Sequence, residues 1–85
     1  MDKHDEAITS IPVTTELDAL GLLCPLPVLK LRKRMEPLMS GEKIRVTADD
    51  PAAVLDIPHF CNEQGHAIDA QDVSDQRCIF VIMKG

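Results

Sequence analysis

Three cysteines, at positions 24, 61 and 78, are the residues of this chain best suited to covalent chemistry. A thiolate is a nucleophile and a metal ligand, and what surrounds it decides how readily it forms. Cys24 stands in the run Gly21-Leu22-Leu23-Cys24-Pro25-Leu26-Pro27. Pro is accepted at the first position of a helix, because its fixed φ suits the helix and its missing N–H would be unpaired there. Pro25 therefore marks a helix start and puts Cys24 at or near the N-cap. Pro27 still falls in the first turn, where a missing donor costs little. The free N–H groups near the sulfur are then chiefly those of Leu26 and Val28. They point towards it together with the positive end of the helix dipole. This placement predicts a stabilised thiolate. Two early donors are lost to proline and no basic residue adjoins Cys24, so the expected effect is a modest fall in its pKa.

Read from the residues alone, Cys24 is open to two accounts: a small buried hydrophobe, or a reactive thiol in a surface turn. Cys61 and Cys78 fall in apolar stretches and read as core packing. The histidines (His4, His59, His66) and the cysteines have none of the usual zinc spacings, so no metal site is expected. No cofactor is expected either. A Cys–His nucleophile pair finds no histidine that the sequence places near Cys24. Four basic residues, Lys30, Arg32, Lys33 and Arg34, crowd one segment of a chain whose net charge is -5. They are either a solvated face, or a stripe (Lys30, Lys33, Arg34) that docks an acidic partner surface beside the thiol. The chain has no Trp or Tyr and two Phe, so it lacks a stacking platform for single strands. Its acidity also opposes phosphate binding, and direct nucleic-acid binding is not expected.

The elements that position these residues follow from hydrophobic spacing. Residues 1–14 are polar, carry Pro12 and show no period, which predicts a flexible tail; residues 15–85 form a single domain. Leu17 and Ala19 alternate with Glu16 and Asp18 as a short strand. Val28, Leu31, Met35 and Leu38 give a helix over residues 25–39, its last turn distorted by Pro37. Ile44, Val46 and Ala48 alternate with Lys43, Arg45 and Thr47 in a second strand. Asp49-Asp50-Pro51 reads as an acidic N-cap followed by Pro, opening a second helix with Ala53, Val54, Ile57, Phe60 and Cys61 on one face. Pro58 predicts a kink or two short segments near Asp56. Ile68, Ala70 and Val73 make a third strand. Arg77 to Met83 makes a fourth, whose unbroken apolar run places it centrally in the sheet. The order β-α-β-α-β-β implies a right-handed parallel crossover followed by a hairpin. The fold class is a two-layer α/β sandwich, a mixed four-stranded sheet with two helices on one face. The polar start of the chain is unlike a secretion signal, and no apolar run is long enough to span a membrane. With an odd cysteine count and no C-x-x-C pair, this predicts a cytoplasmic monomer with reduced thiols.

The run Leu17-Asp18-Ala19-Leu20-Gly21-Leu22, followed by Cys24-Pro25-Leu26-Pro27, resembles the signature of the TusA family of small sulfur carriers. Ala48-Asp49-Asp50-Pro51, Asp56-Ile57-Pro58 and Phe60-Cys61 extend the likeness to the members that give the family its name. The resemblance covers residues 17–84. It implies a two-layer α/β sandwich similar to the C-terminal domain of translation initiation factor three. It also implies that Cys24 carries sulfur as a persulfide, received from a cysteine desulfurase and passed to a relay protein. The end product it implies is 2-thiouridine in transfer RNA. On this basis the chain is a sulfurtransferase in the broad sense, with Cys24 as its catalytic residue. Two features differ from relatives: Leu23 stands where many have Arg before the cysteine, and Leu26 fills the variable motif position where some have Glu. Other branches of the family serve molybdenum cofactor maturation or sulfur oxidation, and a thiol redox or regulatory protein is the alternative from outside it.

Overall fold

The computed structural model describes residues 8–85. The strands are β1 (Thr15–Ala19), β2 (Lys43–Ala48), β3 (Ala67–Val73) and β4 (Cys78–Met83). The helices are α1 (Leu26–Met35), between β1 and β2, and α2 (Ala53–Gln64), between β2 and β3. β1 pairs in parallel with β2, and β4 pairs antiparallel with both β2 and β3, giving the sheet order β1-β2-β4-β3. This is the expected mixed sheet. Its apolar fourth strand lies inside, next to β2.

The alternation along each strand builds the core. Leu17 and Ala19, Ile44, Val46 and Ala48, and Cys78, Phe80 and Ile82 meet Leu31 and Met35 of α1 and Ala53, Ile57, Phe60 and Cys61 of α2. A parallel strand pair needs a crossover, and each helix lays its apolar stripe on the same sheet face. The other β4 positions, Ile79 and Val81, are buried on the opposite face with Ile8, while Ile11, Val13 and Ala70 pack against them. That double cover explains why β4 reads as a continuous apolar run.

The segment from Ile8 to Val13 thus packs on the sheet, where a flexible tail was expected; the rest of that tail, residues 1–7, lies outside the described residues. Arg45 fastens it. Its side chain points away from the helices and is 9% exposed. Its Nη1 donates to the carbonyls of Ile8 at 3.1 Å and Ile11 at 2.8 Å, and its Nε donates to Glu16 Oε1 at 2.9 Å. A buried guanidinium needs such partners, and main-chain oxygens supply most of them here.

Other boundaries moved for local reasons. α1 ends at Met35 and does not reach residue 39: Glu36 keeps helical backbone, but its N–H turns to the Lys33 carbonyl three residues back, and Pro37 has no N–H with which to continue the helix. Leu38 still packs against the core. α2 runs as one helix through Pro58 and is not split into the two short segments that were one of the expectations; Ile57, Phe60 and Cys61 remain buried on either side of it. It closes at Gly65, whose φ of 76° is the left-handed cap conformation that glycine adopts without strain. β3 carries a bulge between Ile68 and Ala70, and Val73 is 45% exposed where inward packing was allowed for.

Candidate functional site

The site begins with strand pairing. In the parallel register Ala19 stands opposite Ala48, so the loops leaving β1 and β2 emerge side by side. The first loop carries Gly21 and Cys24. The second carries Asp49 and Asp50. The N–H of Gly21 donates to Asp49 Oδ1 at 2.9 Å, and the N–H of Cys24 donates to Asp50 Oδ2 at 2.6 Å. The Cys24 thiol donates to Asp56 Oδ2, on the first turn of α2, at 2.9 Å.

The turn itself differs from the expected cap. The Cys24–Pro25 peptide bond is cis, and the N–H of Leu26 donates to the Leu23 carbonyl at 2.8 Å. Pro25 is the N-cap, α1 begins at Leu26, and Pro27 is buried in its first turn. Cys24 therefore sits one residue outside the cap. The Leu26 N–H that was to face the sulfur is engaged by Leu23. Asp49 and Asp50 depart from expectation in the same way. The N-cap of α2 is Ala52 with no side-chain cap bond, and the two carboxylates chiefly bind the first loop. Asp50 Oδ1 also accepts a long 3.4 Å bond from the Ala52 N–H.

The electrostatics follow. The hydrogen bond to Asp56, weak desolvation, and the negative charges of Asp56 and Asp50 push the Cys24 thiol above its ordinary pKa. This reverses the expected fall. The helix start is a residue too far away and its Leu26 donor is engaged, while Asp56 accepts from the sulfur and Asp50 from the Cys24 nitrogen. Burial pushes Cys61 up to about 11. Burial also raises Cys78, partly offset by a hydrogen bond from the backbone of Ala48. Cys24 is exposed and both other cysteines are buried, as their apolar surroundings predicted.

Cys24 opens on a cleft of about 280 Å³ between the helices, walled by Pro25, Val28 and Arg32 on one side and Asp56, His59 and Phe60 on the other. The first loop and α1 expose Leu20, Leu23, Leu26 and Leu29, and α2 exposes Leu55. Lys30, Lys33 and Arg34 are exposed on α1, as a docking stripe requires. Arg34 turns back, its Nη1 donating to the Glu16 carbonyl at 3.2 Å. Arg32, outside the chosen stripe, is the basic residue that lines the cleft. Asp56 and Arg32 were not among the candidate site residues. The signal for Asp56 lay in the parallel crossover, which must bring the start of α2 beside the turn after β1. Among the described residues, no group of three or more His, Cys, Asp or Glu side chains converges as a metal site would require. No helix among them is long and apolar enough to cross a membrane.

Fold and site together define a small two-layer α/β domain built around one exposed thiol in a strand-to-helix turn. A family model described as sulfurtransferase TusA matches residues 15–84, and the chain belongs to the TusA family. Membership carries a sulfur-carrier role in the broad sense. Among solved structures the chain is similar to a SirA-like protein from Desulfitobacterium hafniense, with a TM-score of 0.72 and 22% identity over 85% of this chain and 99% of that one. That likeness bears on the fold alone.

Proposed function

We propose that this protein carries sulfane sulfur on Cys24, taking it from a cysteine desulfurase persulfide and handing it to an acceptor cysteine of a relay protein, towards 2-thiouridine in transfer RNA. The observation that supports this most is the exposure of Cys24 beside two buried cysteines. The Cys24 sulfur attacks the terminal sulfur of the donor persulfide. The donor's S–S bond breaks as the new S–S bond to Cys24 forms, and the donor cysteine leaves as a thiolate. Handing on repeats the exchange with Cys24 as leaving group. No oxidant is needed, and neither buried thiol is placed to expel the stored sulfur as a disulfide. Lys30, Lys33 and Arg34 lie on the exposed side of α1 and suit an acidic region of a partner. The motif residues Pro25, Leu26 and Pro27 hold the turn that presents the thiol.

The test is direct. Incubation with a cysteine desulfurase and cysteine is expected to add sulfur at Cys24, read by peptide mass spectrometry, and to add none to Cys24→Ser. Undiminished loading in Cys24→Ser would overturn the reading.

A further inference from the structure

The hydrogen bond from Cys24 to Asp56 can exist only while the sulfur keeps its proton. A thiolate at the same place would face Asp56 Oδ2 at 2.9 Å with no proton between them, and Asp50 Oδ2 stands 2.6 Å from the Cys24 nitrogen. Like charges so close disfavour ionisation. Reference acidities of carboxyl and thiol groups differ by roughly 4–5 units, so a carboxylate retains a thiol proton by accepting its hydrogen bond and does not remove it. The charged groups facing the sulfur come from three elements. α2 supplies Asp56, with His59 and Glu63 further along the cleft; the loop before α2 supplies Asp50; α1 supplies Arg32. His59 Nε2 lies 3.2 Å from Glu63 Oε1, so it is turned towards its own helix.

We propose that Asp56 is a positioning residue that keeps Cys24 as a thiol at rest, and that a protein donor releases it by setting a cationic side chain against Asp56 beside its own persulfide. This rests on the sulfur-carrier reading above. The surface fits that partner in two respects. Exposed Leu23 and Leu26, on either side of Cys24-Pro25 in the turn, suit a protein face, and the two carboxylates repel small anionic sulfur donors such as thiosulfate or hydrosulfide. When the cation pairs with Asp56, the thiol loses its acceptor. Its proton passes to the departing donor thiolate as sulfur bonds to sulfur. The balance is thiol plus donor persulfide giving Cys24 persulfide plus donor thiol, with no net oxidation.

The experiment compares the full wild-type chain with Asp56→Asn, using Cys24→Ser as blank. Two readouts are expected to move in opposite directions. Iodoacetamide should alkylate Cys24 several-fold faster at pH 7 in Asp56→Asn, with its pH midpoint lowered. Sulfur loading from a desulfurase should become several-fold slower and lose part of its salt dependence. A general loss of structure would also open the buried Cys61 and Cys78 to iodoacetamide, so both must stay unlabelled in Asp56→Asn for the pairing to count. Faster alkylation with equal or faster loading would overturn the proposal, and so would an unchanged midpoint. Wild type alone supplies a second measurement that needs no variant. It should react faster with a cationic methanethiosulfonate than with an anionic one, by more than a model thiol does; equal or reversed preference would overturn the proposal. Loading without charge preference would leave the carrier reading standing and remove the role of Asp56. Charge preference without loading would do the reverse.

Discussion

Asp50, 26 residues further along the chain, holds the backbone N–H of Cys24 at 2.6 Å. This bond fixes the turn from outside and does not depend on the thiol. A hydrogen bond to a charged group contributes about 1.5–3 kcal/mol, less where water competes. Asp50→Ala should therefore lower stability by about 1–2 kcal/mol, or roughly 4–16 °C in a domain of this size. Thermal unfolding followed by circular dichroism checks this, and a melting point equal to wild type would show that the turn stands without Asp50.

Thiol labelling should separate the three cysteines. In the native protein only Cys24 should react with a neutral maleimide or iodoacetamide at pH 7–8. Cys61, with a pKa pushed to about 11, and the buried Cys78 should react only after unfolding. The Cys24 rate should keep rising above the pH at which an ordinary thiol is half ionised, since its pKa is raised. Quantified labelling by intact mass, with and without urea, decides the matter; native labelling of Cys78 at a rate comparable to Cys24 would contradict the packing.

Acid should weaken the fold in two stages. Burial and the nearby Lys84 charge hold His66 below its reference value of 6.5, and the Arg45 hydrogen bond and charge hold Glu16 below 4.5. In both cases the unfolded chain takes up a proton before the folded one does. Stability is thus fully present above the reference values and is lost as pH falls, first below about 6.5 and then below about 4.5. Urea midpoints between pH 8 and pH 4 should decline accordingly, and His66→Gln should flatten the upper part. The Glu16 share should be small and sensitive to salt, because that side chain is mostly exposed.

The rear face of the sheet should be separable from the thiol. Arg45→Met leaves the Ile8 and Ile11 carbonyls without their donor and should cost about 2–3 kcal/mol. Ile8→Ala removes a buried side chain from against Ile79 and Val81 and should cost about 2–3 kcal/mol. Neither should change the alkylation rate of Cys24 under conditions where the variant is folded. A change in that rate would mean that the two faces communicate.

Much of this architecture could be read from spacing. Strand alternation and the helical stripe depend only on which side chains avoid water, so the six elements, their order and the central place of β4 follow from the pattern of apolar residues. The site was only half legible. Cys24 was visible because prolines and a glycine mark its turn. Its acidity went the wrong way because a local reading sees only neighbours along the chain, and no residue adjoining Cys24 is charged. Asp50 and Asp56 reach it across 26 and 32 residues. Asp49-Asp50-Pro51 has the spelling of a helix cap, and the same carboxylates were instead drawn to the unpaired N–H groups of Gly21 and Cys24. Ile8 and Arg45 were missed for a similar reason. An irregular polar segment carries no period, and its packing becomes evident only once a buried guanidinium opposite it is seen to need oxygen atoms.

The 32-residue separation of Cys24 from Asp56 also has a chronology. During synthesis the thiol is made first. At about 5–20 residues per second, roughly 2–6 seconds pass before the carboxylate that holds its proton is added. Throughout that interval Cys24 belongs to a growing chain with no second loop beside it and behaves as an ordinary thiol. The guarded site is completed only when the second strand and helix emerge and dock, so a truncated or misfolded chain would present the same cysteine without Asp56 beside it.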